Sequence, residues 1–208
     1  MPQPLFISFD GVDGTGKSTQ IERLVHWLKE QGREVVTCRD PGSTTLGEAL
    51  RSIVLGQSDE EAQIGGRAEA LIYMAARAQL VEEIIRPALE AGHVVVADRF
   101  LLATVVYQGY GLELGADELW SVGDFATGKL LPDLTLVLDL DVDTAAARRT
   151  GNGDRIEQRD QTYFQKLRDG FLAEAKEKPD QIFVIDASQT IDDVQSSIQD
   201  AVSKCLNG

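Results

Sequence analysis

The sequence predicts a single α/β domain: a five-stranded, mostly parallel sheet covered by helices on both faces, a three-layer α/β/α arrangement. Three observations carry this prediction. Five short apolar segments, at 5–10, 34–38, 93–98, 134–139 and 182–186, read as buried strands. Longer stretches with helical periodicity separate them, and such alternation implies parallel strands joined by helical crossovers. A glycine-rich turn links the first strand to the first helix at the carboxyl end of the strand, where open α/β sheets bind ligands.

The elements follow in order along the chain. After strand 5–10 and its glycine-rich turn, 18–31 reads as a helix, and 34–38 as the second strand. Segment 41–67 carries Gly42, Gly47, Gly56 and Gly65-Gly66 and suggests a small helical lobe inserted after that strand. A long helix over 69–90 precedes strand 93–98, and a helix over 116–127 precedes strand 134–139. A short helix over 144–149 runs into 150–160, whose glycines and charges predict a mobile loop. Helix 161–176, strand 182–186 and helix 191–206 complete the pattern. Residues 1–208 thus read as one domain with a phosphate loop at 11–18, an acceptor-binding region at about 39–77 and a lid at about 148–160.

Composition narrows the function classes. Acidic residues outnumber basic ones 34 to 20, a net charge of −14, which argues against binding a nucleic-acid polymer or an anionic membrane surface. A phosphate ligand must therefore meet a local basic pocket. Cys38 and Cys205 are too few for a disulfide framework or a metal knuckle and are expected to be reduced. No basic-then-apolar leader is evident, and no apolar run approaches the roughly 20 residues of a membrane span, so a cytoplasmic protein is expected.

Gly11-Val12-Asp13-Gly14-Thr15-Gly16-Lys17-Ser18 fits G-x-x-x-x-G-K-[ST], with Thr19 following, and its strand-to-helix context makes it a P-loop. The glycines let backbone N–H groups wrap a phosphate, and the helix N-terminus adds its positive end. Lys17 reaches the β and γ phosphates, and the Ser18 hydroxyl is placed for Mg²⁺. Asp98 ends the third predicted strand, the position that holds the Mg²⁺ shell in such proteins, with Arg99 beside it as a phosphate cation. The structural alternative is an Asp capping a helix with an Arg paired to it. Arg39 ends the second strand ahead of Pro41-Gly42, again a binding position. Arg148, Arg149, Arg155 and Arg159 surround the 150–160 loop and suit a basic flap over a polyphosphate, or else a solvated helix end. Tyr73 and Arg77, four residues apart on one helix face, suit stacking on a base and bonding its carbonyl, although an aromatic on a helix is more often core. Tyr107-Gln108-Gly109 is a weaker signal, compatible with a simple turn.

Together these segments resemble the thymidylate kinase family, P-loop enzymes that phosphorylate dTMP to dTDP with ATP. The likeness runs through 9–19, 39–47, Ala75-Ala76-Arg77-Ala78-Gln79, Ile85-Arg86-Pro87-Ala88-Leu89, Asp98-Arg99-Phe100, Tyr107-Gln108-Gly109, Pro132-Asp133-Leu134-Thr135, Asp154-Arg155-Ile156-Glu157 and Val184-Ile185-Asp186-Ala187-Ser188. The resemblance implies that Arg39 and Arg99 bind the dTMP phosphate, Asp13 the sugar 3′-hydroxyl, and Arg77 the thymine O4. Tyr73 takes the place of a stacking Phe, Tyr107 crowds the 2′ position, and Arg155 belongs to a lid that supplies transition-state charge, as in the family's bacterial type. It also implies Mg²⁺ with ATP as donor, and a homodimer. Asp10 and Asp40 stand in place of Glu, Ser43 in place of Gly, Val105 in place of a polar residue and Leu112 in place of an Arg. Ala103 replaces a Ser, a change that touches base selectivity and for which the neighbouring Thr104 hydroxyl substitutes. Pro41, Thr104 and Gln108 complete the expected acceptor site. Two other readings remain at this stage: a kinase for a different acceptor, and a nucleotide-dependent switch. The sequence has no Asn-Lys-x-Asp guanine-reading motif to favour the switch.

Overall fold

A computed structural model describes residues 3–56, 64–148 and 159–207. Among these, β1 (Leu5–Asp10), β2 (Val35–Arg39), β3 (Val94–Asp98), β4 (Leu134–Asp139) and β5 (Ile182–Asp186) form one sheet in the order β2-β3-β1-β4-β5. Every neighbouring pair is parallel. The helices are α1 (Lys17–Glu30), α2 (Thr45–Val54), α3 (Gly66–Leu80), α4 (Arg86–Glu90), α5 (Leu101–Thr104), α6 (Ala116–Thr127), α7 (Val142–Arg148), α8 (Gln161–Glu177) and α9 (Ile191–Asn207). The five strands match the sequence expectation, with β2 and β3 each starting one residue later than read, at Val35 and Val94.

Side-chain alternation divides the core between the two faces of the sheet. Leu5, Ile7 and Phe9 of β1 and Val94 and Val96 of β3 join the core beneath α1, α8 and α9. Phe6 of β1 and Val95 and Ala97 of β3 join the opposite core, with Leu80, Ile85 and Phe100. A strand buried on both sides needs a continuous apolar run, which is why Val94-Val95-Val96-Ala97 is so legible.

Two helical segments depart from the sequence reading. The helix read over 69–90 starts earlier, at Gly66, and widens into a π-helical turn at Val81–Ile85 before α4. Pro87 lies in α4; it lacks an N–H and its ring crowds the preceding turn, so the wider turn accommodates it. The segment after β3, for which the sequence suggested a turn at Tyr107-Gln108-Gly109, is instead α5 continued by a π-helical turn, Val105–Tyr110. Its residues from Leu101 to Gly109 are all buried, so no amphipathic period marks it as helical. Segment 41–67 does contain a helix, α2, whose first turn Thr44 caps by accepting from the Gly47 N–H at 2.9 Å.

Strand register brings the chemistry to one level. Phe9 pairs with Asp98, Arg39 with Asp98, and Asp10 with Val137. Asp10, Arg39 and Asp98 therefore end three adjacent strands at the same edge, beside the point where strand order reverses about β1.

Candidate functional site

Gly16, at φ 93°, leads into α1 without a side-chain cap, so the helix N-terminus presents its first-turn N–H groups to an incoming anion. Gly14, at φ 92°, lets the loop pass against α7, where a Cβ would lie 2.1 Å from the Ala145 carbonyl oxygen. Lys17 folds back over the loop: its Nζ donates to the carbonyls of Gly11 (3.0 Å) and Val12 (2.9 Å) and lies 3.6 Å from Asp13 Oδ1. Burial, reinforced by the positive charge of Arg99, pulls its ammonium down to about 8. An anion in the loop would counter both effects.

Arg99 adopts the left-handed conformation, φ 68°, which costs a side-chain-bearing residue on the order of 1 kcal/mol. That backbone turns its guanidinium onto the loop. Nη1 donates to the Gly11 carbonyl at 3.0 Å, Nη2 to Asp13 Oδ1 at 2.5 Å, and the group lies 4.9 Å from the Tyr107 ring centroid. Tyr107 in turn donates to Asp13 Oδ2 at 3.4 Å. Burial alone would raise the Asp13 carboxyl, but Arg99 and Lys17 hold it well below the usual carboxylate range. Asp10, fully buried behind the loop, goes the other way: burial pushes it up to about 7 against the pull of Arg99 and Lys17.

Two cavities open here. The larger, about 860 Å³, is lined by Asp13 to Gln20, Arg39, Asp98, Arg99, Arg148 and residues of the β5–α9 connection, among them Ala187 and Gln189. The smaller, about 140 Å³, is lined by Pro41, Leu55, Tyr73, Arg77, Ala103, Thr104, Tyr107 and Gln108. Asp13, Asp40, Arg51 and Arg99 line both. A molecule in each would meet the other at these four residues, two cations and two carboxylates.

Arg77 is held rigidly in the wall of the smaller cavity. Nε donates to Asp40 Oδ2 at 2.6 Å, Nη2 to Thr104 Oγ1 at 2.7 Å and to the Phe100 carbonyl at 3.3 Å, and Nη1 to Met74 Sδ at 3.1 Å. Both Arg77 and Asp40 are fully buried; the further bonds of the guanidinium help to hold the pair, while Asp40 Oδ1 has no partner among the described residues. Gln108 is buried in the same wall, with Nε2 bonded to Glu69 at 2.8 Å.

The structure thus gathers most of the residues singled out in the sequence. Asp13 to Thr19, Arg39, Asp98, Arg99 and Arg148 face the larger cavity. Pro41, Tyr73, Arg77, Thr104, Tyr107 and Gln108 face the smaller one. Gly11 and Val12 contribute carbonyls to Lys17. The Arg39 guanidinium is exposed, with its Nη2 donating to both oxygens of Glu48 at 3.0 Å each, and Arg39 borders the larger cavity only. Arg149 and Arg155 lie outside the described residues. Arg51 was missed; it lines both cavities and donates to the Pro41 carbonyl at 3.1 Å. Its one sequence signal was a cation in the glycine-rich lobe behind Arg39.

Asp98 carries a buried Oδ1 with no partner among the described residues, and Ser18 borders the same cavity. Hard oxygen donors of this kind fit Mg²⁺, which retains waters and phosphate ligands and needs few protein groups. No cluster of three His, Cys, Asp or Glu side chains suited to a metal occurs among the described residues.

Comparison with known proteins gives a consistent family. The thymidylate kinase family model matches residues 9–198. A thymidylate kinase of Exiguobacterium sp. is 43% identical over 198 residues, covering 94% of this chain and 92% of its own. One from Bifidobacterium longum subsp. infantis is 46% identical over 203 residues, covering 97% and 87%. The crystal structure of thymidylate kinase from Ehrlichia chaffeensis superposes with a TM-score of 0.79 at 29% identity, over 97% of this chain and 99% of that one.

Proposed function

The chain belongs to the thymidylate kinase family and phosphorylates dTMP to dTDP with ATP; we propose that it does so by direct in-line transfer between the two cavities. The observation that carries this reading is the shared boundary: Asp13, Asp40, Arg51 and Arg99 border both cavities, so donor and acceptor phosphates converge there.

ATP lies along the larger cavity with its phosphates in the loop of Gly11 to Thr19. Loop N–H groups and Lys17 hold the β and γ phosphates, and Arg148 borders the nucleotide. Ser18 and Asp98 would hold Mg²⁺, which offsets phosphate charge when bound. The dTMP base enters the smaller cavity, where Tyr73 stacks on it, Arg77 donates to O4, and Thr104 and Gln108 complete the polar edge. Tyr107 and Asp13 face the sugar, and Pro41 closes the side. Arg99 and Arg39 draw the acceptor phosphate in, and Arg155, outside the described residues, is the further cation expected to serve the transferred group. For Arg39 this requires exchange of Glu48 for phosphate, one anion for another at an exposed site where the ion pair is weak.

The acceptor is a phosphate oxygen already ionised at neutral pH, so no side chain need remove a proton. Positioning and charge neutralisation supply the acceleration. The test is the stereochemical course at phosphorus with ATP carrying an isotopically chiral γ-phosphate. Inversion is expected; retention would mean a phosphoenzyme and would refute direct transfer.

We further read the protein as a cytoplasmic homodimer. No described helix is long and apolar enough to cross a membrane, both cysteines are free thiols, and Phe125 on α6 is 91% exposed, an apolar group suited to a subunit contact.

A further inference from the structure

Glu69 is a buried carboxylate, 1% exposed, for which phosphoryl transfer has no use. Burying such a group is costly, and it persists where it does something for its neighbours. It lies near the start of α3, four residues before Tyr73 and eight before Arg77, so all three share one helix face. Tyr73 and Arg77 line the base cavity; Glu69 reaches it through Gln108. Gln108 Nε2 donates to Glu69 Oε1 at 2.8 Å, while Gln108 Oε1 is buried without a partner among the described residues.

A carboxamide is nearly symmetric in shape but not in polarity: one end donates two hydrogens and the other accepts. Unrestrained, Gln108 would offer either end to the cavity. A carboxylate only accepts, so Glu69 fixes the amide nitrogen toward itself and leaves Oε1 for the ligand. We propose that Glu69 is a positioning residue for base selection, a role that rests on the smaller cavity being the dTMP base site. It holds Gln108 as an acceptor for a ring N–H, the N3–H of thymine. Beside it Arg77 donates to the neighbouring carbonyl. Cytosine presents a bare N3 at the same place, so Gln108 Oε1 stays unsatisfied and faces a second lone pair.

The test compares kcat/KM for dTMP and dCMP in the wild type, in Glu69→Gln and in the exchange variant Glu69→Gln/Gln108→Glu. Glu69→Gln keeps shape but can donate as well as accept, which frees the amide at position 108 to turn. One lost neutral hydrogen bond predicts about a tenfold fall for dTMP, expressed in KM, with dCMP changed less than about twofold and the KM for ATP unchanged. In the exchange variant the amide at position 69 faces the new carboxylate at position 108. An acceptor then points at the base again, and the preference for dTMP returns. Equal losses for both acceptors, or no change, in Glu69→Gln would overturn the proposal. If that variant does not fold, the exchange variant decides: wild-type preference supports the proposal, and lost preference overturns it. A wild-type enzyme that leaves dTMP unphosphorylated would refute the site assignment itself, a result visible before any variant is compared.

Discussion

Asp10 ends β1 with one carboxylate oxygen accepting from Ser8 at 3.4 Å and the other unpartnered among the described residues. Burial raises it from an ordinary carboxylate value to about 7. The native state therefore holds a proton on Asp10 that the unfolded chain releases near pH 4, and the contribution of this carboxyl to stability falls as pH rises from about 4 through 7. Replacement by Asn removes that dependence. Thermal midpoints of Asp10→Asn and wild type should nearly coincide at pH 4, while at pH 8 the variant should melt at least about 3 °C higher. A variant less stable at pH 8 would show that Arg99 and Lys17 keep Asp10 ionised. The sequence marked the residue types at this site well: Lys17, Asp98, Arg77 and Gln108 all face a cavity. It did not indicate which partner each would take. Arg77 with Asp40, Gln108 with Glu69 and Arg39 with Glu48 are products of tertiary packing, and nothing in local spacing distinguishes them from solvated charges.

At the scale of elements, Gly14 shows how one residue type answers two demands. Sequence reasoning assigns it to wrapping a phosphate; in the fold it also sets the approach of the loop to α7. A Cβ there would meet backbone at 2.1 Å and sit on a positive φ, so neither loop nor helix can keep its place. Gly14→Ala should lose about 2–3 kcal/mol of stability, from overpacking together with the left-handed penalty, and bind ATP more weakly. Denaturant midpoints and ATP titration check this; an unchanged midpoint would contradict the packing. Elements with a solvent-facing side, such as α1 and α8, were legible from their period, and β1 and β3 from continuous apolar runs. The segment from Leu101 to Tyr110 was not, because burial on all sides erases the period and the π-helical turn has no sequence signature. That segment supplies Thr104, Tyr107 and Gln108, which explains why the acceptor side was the harder half to read.

The whole molecule carries a net charge of −14, yet it concentrates Lys17, Arg39, Arg51, Arg99 and Arg148 around one cavity. Such focusing draws a polyphosphate to the sheet edge while the remaining surface repels polyanions. The parallel sheet places the loop and the ends of β2 and β3 together, with the smaller cavity beside them, where the proposal places the acceptor base. In this enzyme the two cavities serve ATP and dTMP, as proposed above. The most direct test is ADP formation with Mg²⁺-ATP and each of dTMP, dUMP, UMP, dCMP, AMP, GMP and thymidine as acceptor. Turnover should depend on the acceptor, with the highest kcat/KM for dTMP despite Ala103. Equal use of another acceptor would contradict the base assignment, and turnover indifferent to any acceptor would contradict the kinase itself.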